Sequence, residues 1–577
     1  MTHTTNPHRR RFIKTAGTAG LLAWSGLPGW LSAMEGMGHM PKLPARRASP
    51  NFRPDVEVDL ICKPSAVSIL PGQATRVMRY TATLVRGPAD TVSEIPGSYL
   101  GPILRFQKGQ KIRINLHNQL NEASITHWHG LHVPAEMDGH PLYAIDKGET
   151  FVYEFAMLNR ASMNIYHPHP HNATARQVYM GLAGAILVND SEEAKLDLPA
   201  GEYEVPIVIQ DRMFDVSNQF QYVRHMHDRM MGFYGDRILV NGFANFRLDV
   251  ASRAYRFRIM NGSTARIYKL AWDDNTPVTV IGTDGGLLEH PVEKPYVMLA
   301  PGERLDVWAD FSGRSVGSQL VMRSRSFSGA LPRMAEHMMG GMHGSPLTMG
   351  SDYPIFSVKV GRQVSDSPKL PKSLSSIRRY GLNDTANPGK PVPIGISEGP
   401  MRMLLNGRPY AYNDVLPSER IPVDSVQLME IFHAHGGGHQ ADESAGHRMG
   451  GMGMMGGGMR HGGMGMRHGS EQQANGTGSR MGMGGMGGMG MMMSMAHPIH
   501  FHGQYFQIFE RSGGSGAGYA SVKDGFVDNG WKDTVLVMPG ERLKLIKPFE
   551  DFKGLFMFHC HNLEHEDMGM MREFSVE

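Results

Sequence analysis

Two His-x-His pairs stand early in the chain, His127-Trp128-His129 and His167-Pro168-His169. Two more stand near its C-terminus, His500-Phe501-His502 and His559-Cys560-His561. On an extended strand, residues i and i+2 point to one face and i+1 to the other. Each pair therefore aims two imidazoles into one space. A fold that uses all four must be built of strands and must bring both ends of the chain together.

The remaining sequence agrees with strands. Segments such as Lys111-Ile112-Arg113-Ile114-Asn115-Leu116, Tyr255-Arg256-Phe257-Arg258-Ile259-Met260 and Val426-Gln427-Leu428-Met429-Glu430-Ile431-Phe432 alternate in polarity and are bounded by Gly, Pro and Asn. No long stretch carries a helical period, so the expected class is all-β. The 577 residues exceed one domain. Two stretches rich in Pro and charge, near 191–206 and 362–400, read as linkers. They leave three units of sandwich size at 51–190, 200–362 and 395–577, after a leader at 1–45.

The leader reads as an address. Arg9-Arg10-Arg11-Phe12-Ile13-Lys14 fits the twin-arginine pattern, and a weakly apolar stretch broken by Gly17, Gly20, Gly26 and Pro28 follows. This stretch is too broken to anchor a transmembrane helix, and no other segment is long enough. The expectation is periplasmic export by the twin-arginine pathway, as a monomer. A net charge of +3 is too mild to argue for nucleic acid or an anionic membrane.

Composition departs from the ordinary in 70 Gly, 44 Met and 28 His. From His433 to Met495 these three residues dominate, with too few branched or aromatic side chains to order the segment by burial; it reads as an insertion in the third unit. A smaller cluster comprises Met334, Met338, Met339, Met342 and Met349. Thioethers suit cuprous copper, a soft ion. With only two cysteines, Cys62 and Cys560, no disulfide framework is possible. Cys62 reads as a small buried side chain.

Cys560 lies between His559 and His561 and so faces the opposite side of the strand. His565 and Met570 follow on the same loop, and His497 opens the preceding motif, His497-Pro498-Ile499-His500-Phe501-His502. Two His, one Cys and a weak axial Met make up the ligand set of a blue electron-transfer copper. Three further copper ions held by eight imidazoles would leave positions for oxygen. Zinc is the rival metal, but it has no redox chemistry and its structural sites need only four ligands. His171 would be a third imidazole from one run and is set aside as a solvated or supporting residue.

At these residues the chain resembles the three-domain multicopper oxidases, and among them the periplasmic copper-efflux (cuprous) oxidases. The resemblance takes in His127-Trp128-His129-Gly130-Leu131 with Asp138-Gly139, His167-Pro168-His169 through Gly181-Leu182-Ala183-Gly184, Gly530-Trp531-Lys532-Asp533-Thr534, and His565-Glu566-Asp567 with Gly569-Met570-Met571. It implies three cupredoxin-like Greek-key β-sandwich domains, the second acting mainly as a spacer. It also implies four copper ions: one type 1 (His497, Cys560, His565, Met570), one type 2 (His127, His500) and a type 3 pair (His129, His167, His169, His502, His559, His561). Asp138 and Glu566 would relay protons to dioxygen, the co-substrate. Asp-Gly is also a common turn, and a carboxylate after His565 also reads as a group that orients that ligand.

The implied activity is one-electron oxidation of substrate, Cu(I) in the first instance, coupled to reduction of dioxygen to water. The chain departs from the efflux-oxidase pattern in two places. Its large Met tract lies inside the third unit, leading into His497, and Met493 stands four residues before His497 where those proteins tend to carry Asp. A laccase-like oxidase of small phenols is the alternative reading. A copper-binding or interaction protein would be expected to lack ligands, and here all twelve are present; a two-domain nitrite reductase would lack the four His-x-His pairs.

Overall fold

A computed structural model describes residues 42–332, 335, 347–399, 402–434 and 494–577. The twin-arginine segment, Met334, Met338, Met339 and Met342, and residues 435–493 of the Gly/Met/His tract lie outside them.

Alternation in the sequence becomes alternation in burial. In the strand Val56–Val67, Val56, Val58, Leu60 and Cys62 face the core, with Glu57, Asp59 and Ile61 between them on the half-exposed face. The strand Lys111–Asn118 pairs with it in parallel and sends Ile112, Ile114 and Leu116 into the same core. Cys62 is an ordinary member of that core. Its Sγ donates to Asn118 Oδ1 at 3.4 Å, and burial pushes its thiol up to about 12.

Three such two-sheet units follow one another, with strands spanning 56–189, 204–362 and 392–576. Each repeats one wiring. An opening strand lies parallel to a later one in one sheet: Val56–Val67 with Lys111–Asn118, Glu204–Phe214 with Ala254–Asn261, and Val392–Gly399 with Ser425–His433. A second parallel pair closes the other sheet, with all remaining ladders antiparallel. The units have separate apolar cores built on Trp128 and Tyr153, on Phe257 and Trp272, and on Phe501 and Phe558. The strand Val392–Gly399 falls within the stretch read above as a linker. Among the described residues no helix is long and apolar enough to cross a membrane.

Register brings the histidines opposite one another. In the first unit His127 pairs across the ladder with His167; in the third, His500 pairs with His559, and Ile499 with Cys560.

Candidate metal centre

The strand Thr126–His129 is buried on both faces: His127 and His129 leave one side, and Trp128 enters the core of the first unit on the other. The strand Gly554–Cys560 does the same in the third unit, where Cys560 enters the core with Ile499 and Met570 while His559 leaves it. All twelve predicted ligands are at most 4% exposed.

The imidazoles from the two ends of the chain meet in three sets, in each of which the candidate ligand atoms lie within 4.8 Å of one another. The sets are His127, His129 and His500; His129, His167 and His561; and His169, His502 and His559. His127 Nε2 and His500 Nε2 are 3.4 Å apart, and His502 Nε2 is 3.2 Å from His559 Nε2. A separate set holds His497, Cys560 and His565, with Sγ 3.4 Å from His497 Nδ1 and 3.6 Å from His565 Nδ1. Met570 adjoins it, its carbonyl accepting from Cys560 N at 3.0 Å. His171 joins no set and packs against Tyr410, with ring centroids 5.4 Å apart.

Outer hydrogen bonds fix which nitrogen of each ring faces inward. His127 Nδ1 donates to Asp138 O at 2.6 Å, His502 Nδ1 to Asp138 Oδ2 at 2.7 Å, and His500 Nδ1 to Asp533 O at 3.0 Å. Their Nε2 lone pairs are left for the shared space. At the cysteine site the roles reverse. His497 Nε2 donates to Glu398 Oε1 at 2.9 Å and His565 Nε2 to Met230 O at 3.0 Å, so both present Nδ1 toward Sγ.

These residues fit metal ions. Five buried imidazole nitrogens, His129 Nδ1, His167 Nε2, His169 Nδ1 and both of His561, lack a hydrogen-bond partner, a density of orphaned groups that a folded interior rarely carries. Burial, reinforced by neighbouring rings, pushes His167 and His565 down to about 3 and holds His129, His169, His500, His502 and His561 well below the usual range. Neutral imidazole is the ligand form, and nitrogen with thiolate is the donor set of copper.

Two carboxylates flank the imidazoles. Asp138 caps a short 3-10 turn, Ala135–Met137. Gly139 follows with φ +81°, where a Cβ would lie 2.2 Å from Thr126 O, so the Asp-Gly turn packs on the strand that carries His127. Burial pushes the Asp138 carboxyl up, against the pull of His127. Glu566 lies 3.0 Å from His559 Nδ1 and 3.5 Å from His169 Nε2. Burial opposes its ionisation, but His559 and His169 outweigh that and hold it low.

The second unit is more than the spacer that the resemblance suggested. Its Arg304 grips Asp533 with two parallel bonds of 2.7 and 2.5 Å, and Asp533 in turn accepts from His129 Nε2 at 3.0 Å. Its Gly302 (φ +82°) has room for no side chain, since a Cβ would come within 3.0 Å of both His129 and His561. Its Met230 carbonyl orients His565. The second unit thus abuts the imidazoles directly, through Gly302, and supports them through Arg304. Arg304, Met230 and Glu398 carry no local signal in the sequence that marks them for the site, and Asp533 stands only within the Gly530-Trp531-Lys532-Asp533-Thr534 motif.

Comparison with known proteins agrees with this geometry. Two sequence models, both described as multicopper oxidase, match residues 76–193 and 486–577. The chain is 28% identical to a multicopper oxidase of Staphylococcus haemolyticus over 480 residues, covering 83% of each chain. It is 26% identical to a laccase of Bacillus subtilis, covering 80% of this chain and 81% of that one. The crystal structure of the McoA multicopper oxidase from Aquifex aeolicus superposes with a TM-score of 0.68 at 28% identity, covering 93% of this chain and 99% of that one.

Proposed function

We propose, for a chain that belongs to the multicopper oxidases, that the physiological reductant is Cu(I) and that its oxidation serves copper tolerance in the periplasm. The coarser activity is that of the family: one-electron oxidation of a reductant coupled to reduction of dioxygen.

In this reading His497, Cys560, His565 and Met570 hold a type 1 copper, His127 and His500 a type 2 copper, and His129, His167, His561, His169, His502 and His559 a type 3 pair. Copper ions, when bound, supply one-electron storage at the first site and reduction of dioxygen at the cluster. The protein supplies the rest. Cys560 and its neighbours His559 and His561 are joined by a few backbone bonds, a short path between the two sites. The tautomers set by Asp138, Asp533, Glu398 and Met230 keep ligand nitrogens aimed inward before any metal arrives. Asp138 accepts from His502 Nδ1 and, with its carboxyl pushed up by burial, can take up and release a proton beside the cluster, and Glu566 stands beside His559 and His169.

The observation that carries the Cu(I) reading is Glu398. This fully buried carboxylate accepts from His497 Nε2 at 2.9 Å and from Met495 N at 3.0 Å, and its Oε2 accepts from Ser494 Oγ at 3.5 Å. His433 Nδ1 lies 3.6 Å from it. Both borders of the Gly/Met/His tract, His433 and Ser494, are thus gathered at an imidazole of the cysteine site, the point at which electrons would enter in this reading.

The test is a comparison on one copper-loaded preparation of steady-state rates with Cu(I) and with a phenol, before and after deletion of residues 435–493. Cu(I) turnover is expected to fall at least about tenfold relative to phenol turnover, roughly 1.4 kcal/mol in the barrier. An unchanged ratio would remove the tract from substrate delivery. The kinship with a laccase supports the second reading, an oxidase of phenols, which predicts faster phenol turnover after the same deletion.

A further inference from the structure

The strand Arg542–Phe549 sends Leu543, Leu545 and Phe549 inward into the core of the third unit. Lys547 occupies the same inward register between Leu545 and Phe549 and is 1% exposed. An ammonium at an apolar strand position costs stability unless it is paired or hydrogen-bonded. Its Nζ donates to the Gln504 carbonyl and lies 5.2 Å from the centre of the Phe549 ring. Among the described residues no carboxylate forms a salt bridge with it. The charged groups that act on it are Asp533 and Asp138, and it in turn acts on His132, which Glu550 also faces. The residue opposite it on the neighbouring strand is the uncharged Gln427.

Gln504 is a wall. On one side lies an open cleft of about 330 Å³ lined by Lys108, Arg160, His132, Trp531 and Glu550. On the other lies a space of about 10 Å³, the room of one water, lined by His132, His502, Gly503 and Glu550. Both spaces share His132, Gln504, Pro548 and Glu550, so they adjoin. His502 Nδ1 donates to Asp138 Oδ2 at 2.7 Å, so the smaller space ends one side chain short of the Asp138 carboxyl. The Gln504 side chain is tied to Glu550 by two bonds, 2.6 Å from Glu550 N to Oε1 and 3.2 Å from Nε2 to Glu550 Oε2, and its main chain is tied to Lys547.

We infer that Lys547 is a positioning residue for proton delivery: its ammonium pins the Gln504 carbonyl and so holds open the one-water passage between the cleft and the His502–Asp138 pair. This rests on the reading of Asp138 as a proton donor to the cluster. A charged donor makes the stronger hydrogen bond, so the pin slackens when Lys547 loses its proton. Burial pushes that loss down to about 7, against the opposing pull of Asp533 and Asp138.

The experiment is oxygen consumption between pH 6 and pH 9 by the copper-loaded enzyme, with a reductant that carries no titratable proton, for wild type, K547M, K547R and D138N. Thermal midpoints are taken over the same pH range. Met suits the apolar register, so K547M is expected to fold, to load copper and to keep the wild-type blue absorbance. Wild-type turnover should fall as pH rises through about 7. K547M should be flat at the wild-type pH 9 level, and K547R should stay at the high level. A lysine whose folded value lies below its ordinary 10.5 makes stability rise with pH above about 7, and K547M should lose that rise. A K547M profile that tracks wild type, a K547R profile that falls with it, or a K547M protein without its blue band would each overturn the inference. D138N separates the two readings: if its turnover equals wild type, the role of Asp138 fails first.

Discussion

Glu398 Oε1 stands 2.9 Å from Nε2 of His497, although 99 residues separate them, and both side chains are fully buried. An anionic acceptor on one ring nitrogen makes the other a stronger donor, and a stronger donor favours the oxidised ion. The variant E398Q keeps the shape and an acceptor oxygen but removes the charge. The potential of the blue site is expected to rise by about 40–90 mV, since a charge-assisted bond exceeds a neutral one by roughly 1–2 kcal/mol and 59 mV is one decade for one electron. Redox titration of the blue absorbance reads this directly. An unchanged potential would mean that Glu398 only packs.

Arg304 and Asp533 form a buried, two-bonded ion pair between the second and third units. Burial opposes the charge on both, yet each holds the other ionised, Arg304 well above and Asp533 well below its usual range. Removing one partner strands the other charge. R304M is expected to lose about 3–5 kcal/mol of stability. Because Asp533 also accepts from His129 and His500, the variant should bind fewer copper ions at the imidazole cluster while keeping its blue colour. Melting curves with metal analysis check both halves, and full cluster loading in a destabilised protein would uncouple them.

What could be read from the sequence and what could not follows from range. The eight imidazoles of the four His-x-His pairs were legible because the i, i+2 rule of a strand is local, and His127 opposite His167 or His500 opposite His559 needs only that rule and a ladder. Glu398, Arg304 and Met230 reach the site from other sheets or another unit, and nothing beside them in the sequence marks their targets. The strand Val392–Gly399 was hidden for a different reason. Pro391 and Pro393 made it read as a linker, although Val392, Ile394 and Ile396 alternate into the core.

Asp138 offers its carbonyl to His127 and its carboxylate to His502, so a turn and a chemical role coincide in one residue. D138N keeps an oxygen to accept from His502 Nδ1 but can no longer gain or lose a proton. Turnover is expected to fall about a hundredfold, the lower range for a lost general acid. Copper content and the blue absorbance should be unchanged. A proportionate loss of copper would instead assign Asp138 to ligand orientation alone.

Glu564 lies beside His565, fully buried, and accepts from Tyr222 OH at 2.9 Å. Burial pushes its carboxyl from the ordinary 4.5 up to about 7. A carboxyl whose folded value is raised binds more protons folded than unfolded. Its stabilising contribution is therefore complete below about 4.5 and fades as pH rises toward 7, by an amount on the order of 3 kcal/mol. Gln mimics the protonated form and does not titrate. E564Q is thus expected to gain on wild type steadily between pH 4.5 and pH 7 and then to hold its lead. The comparison is the difference between the two melting midpoints across that range, which cancels the titration of every other group. A difference that stays constant with pH would place the Glu564 proton elsewhere, on a carboxyl that ionises as readily in the folded protein as in the unfolded chain.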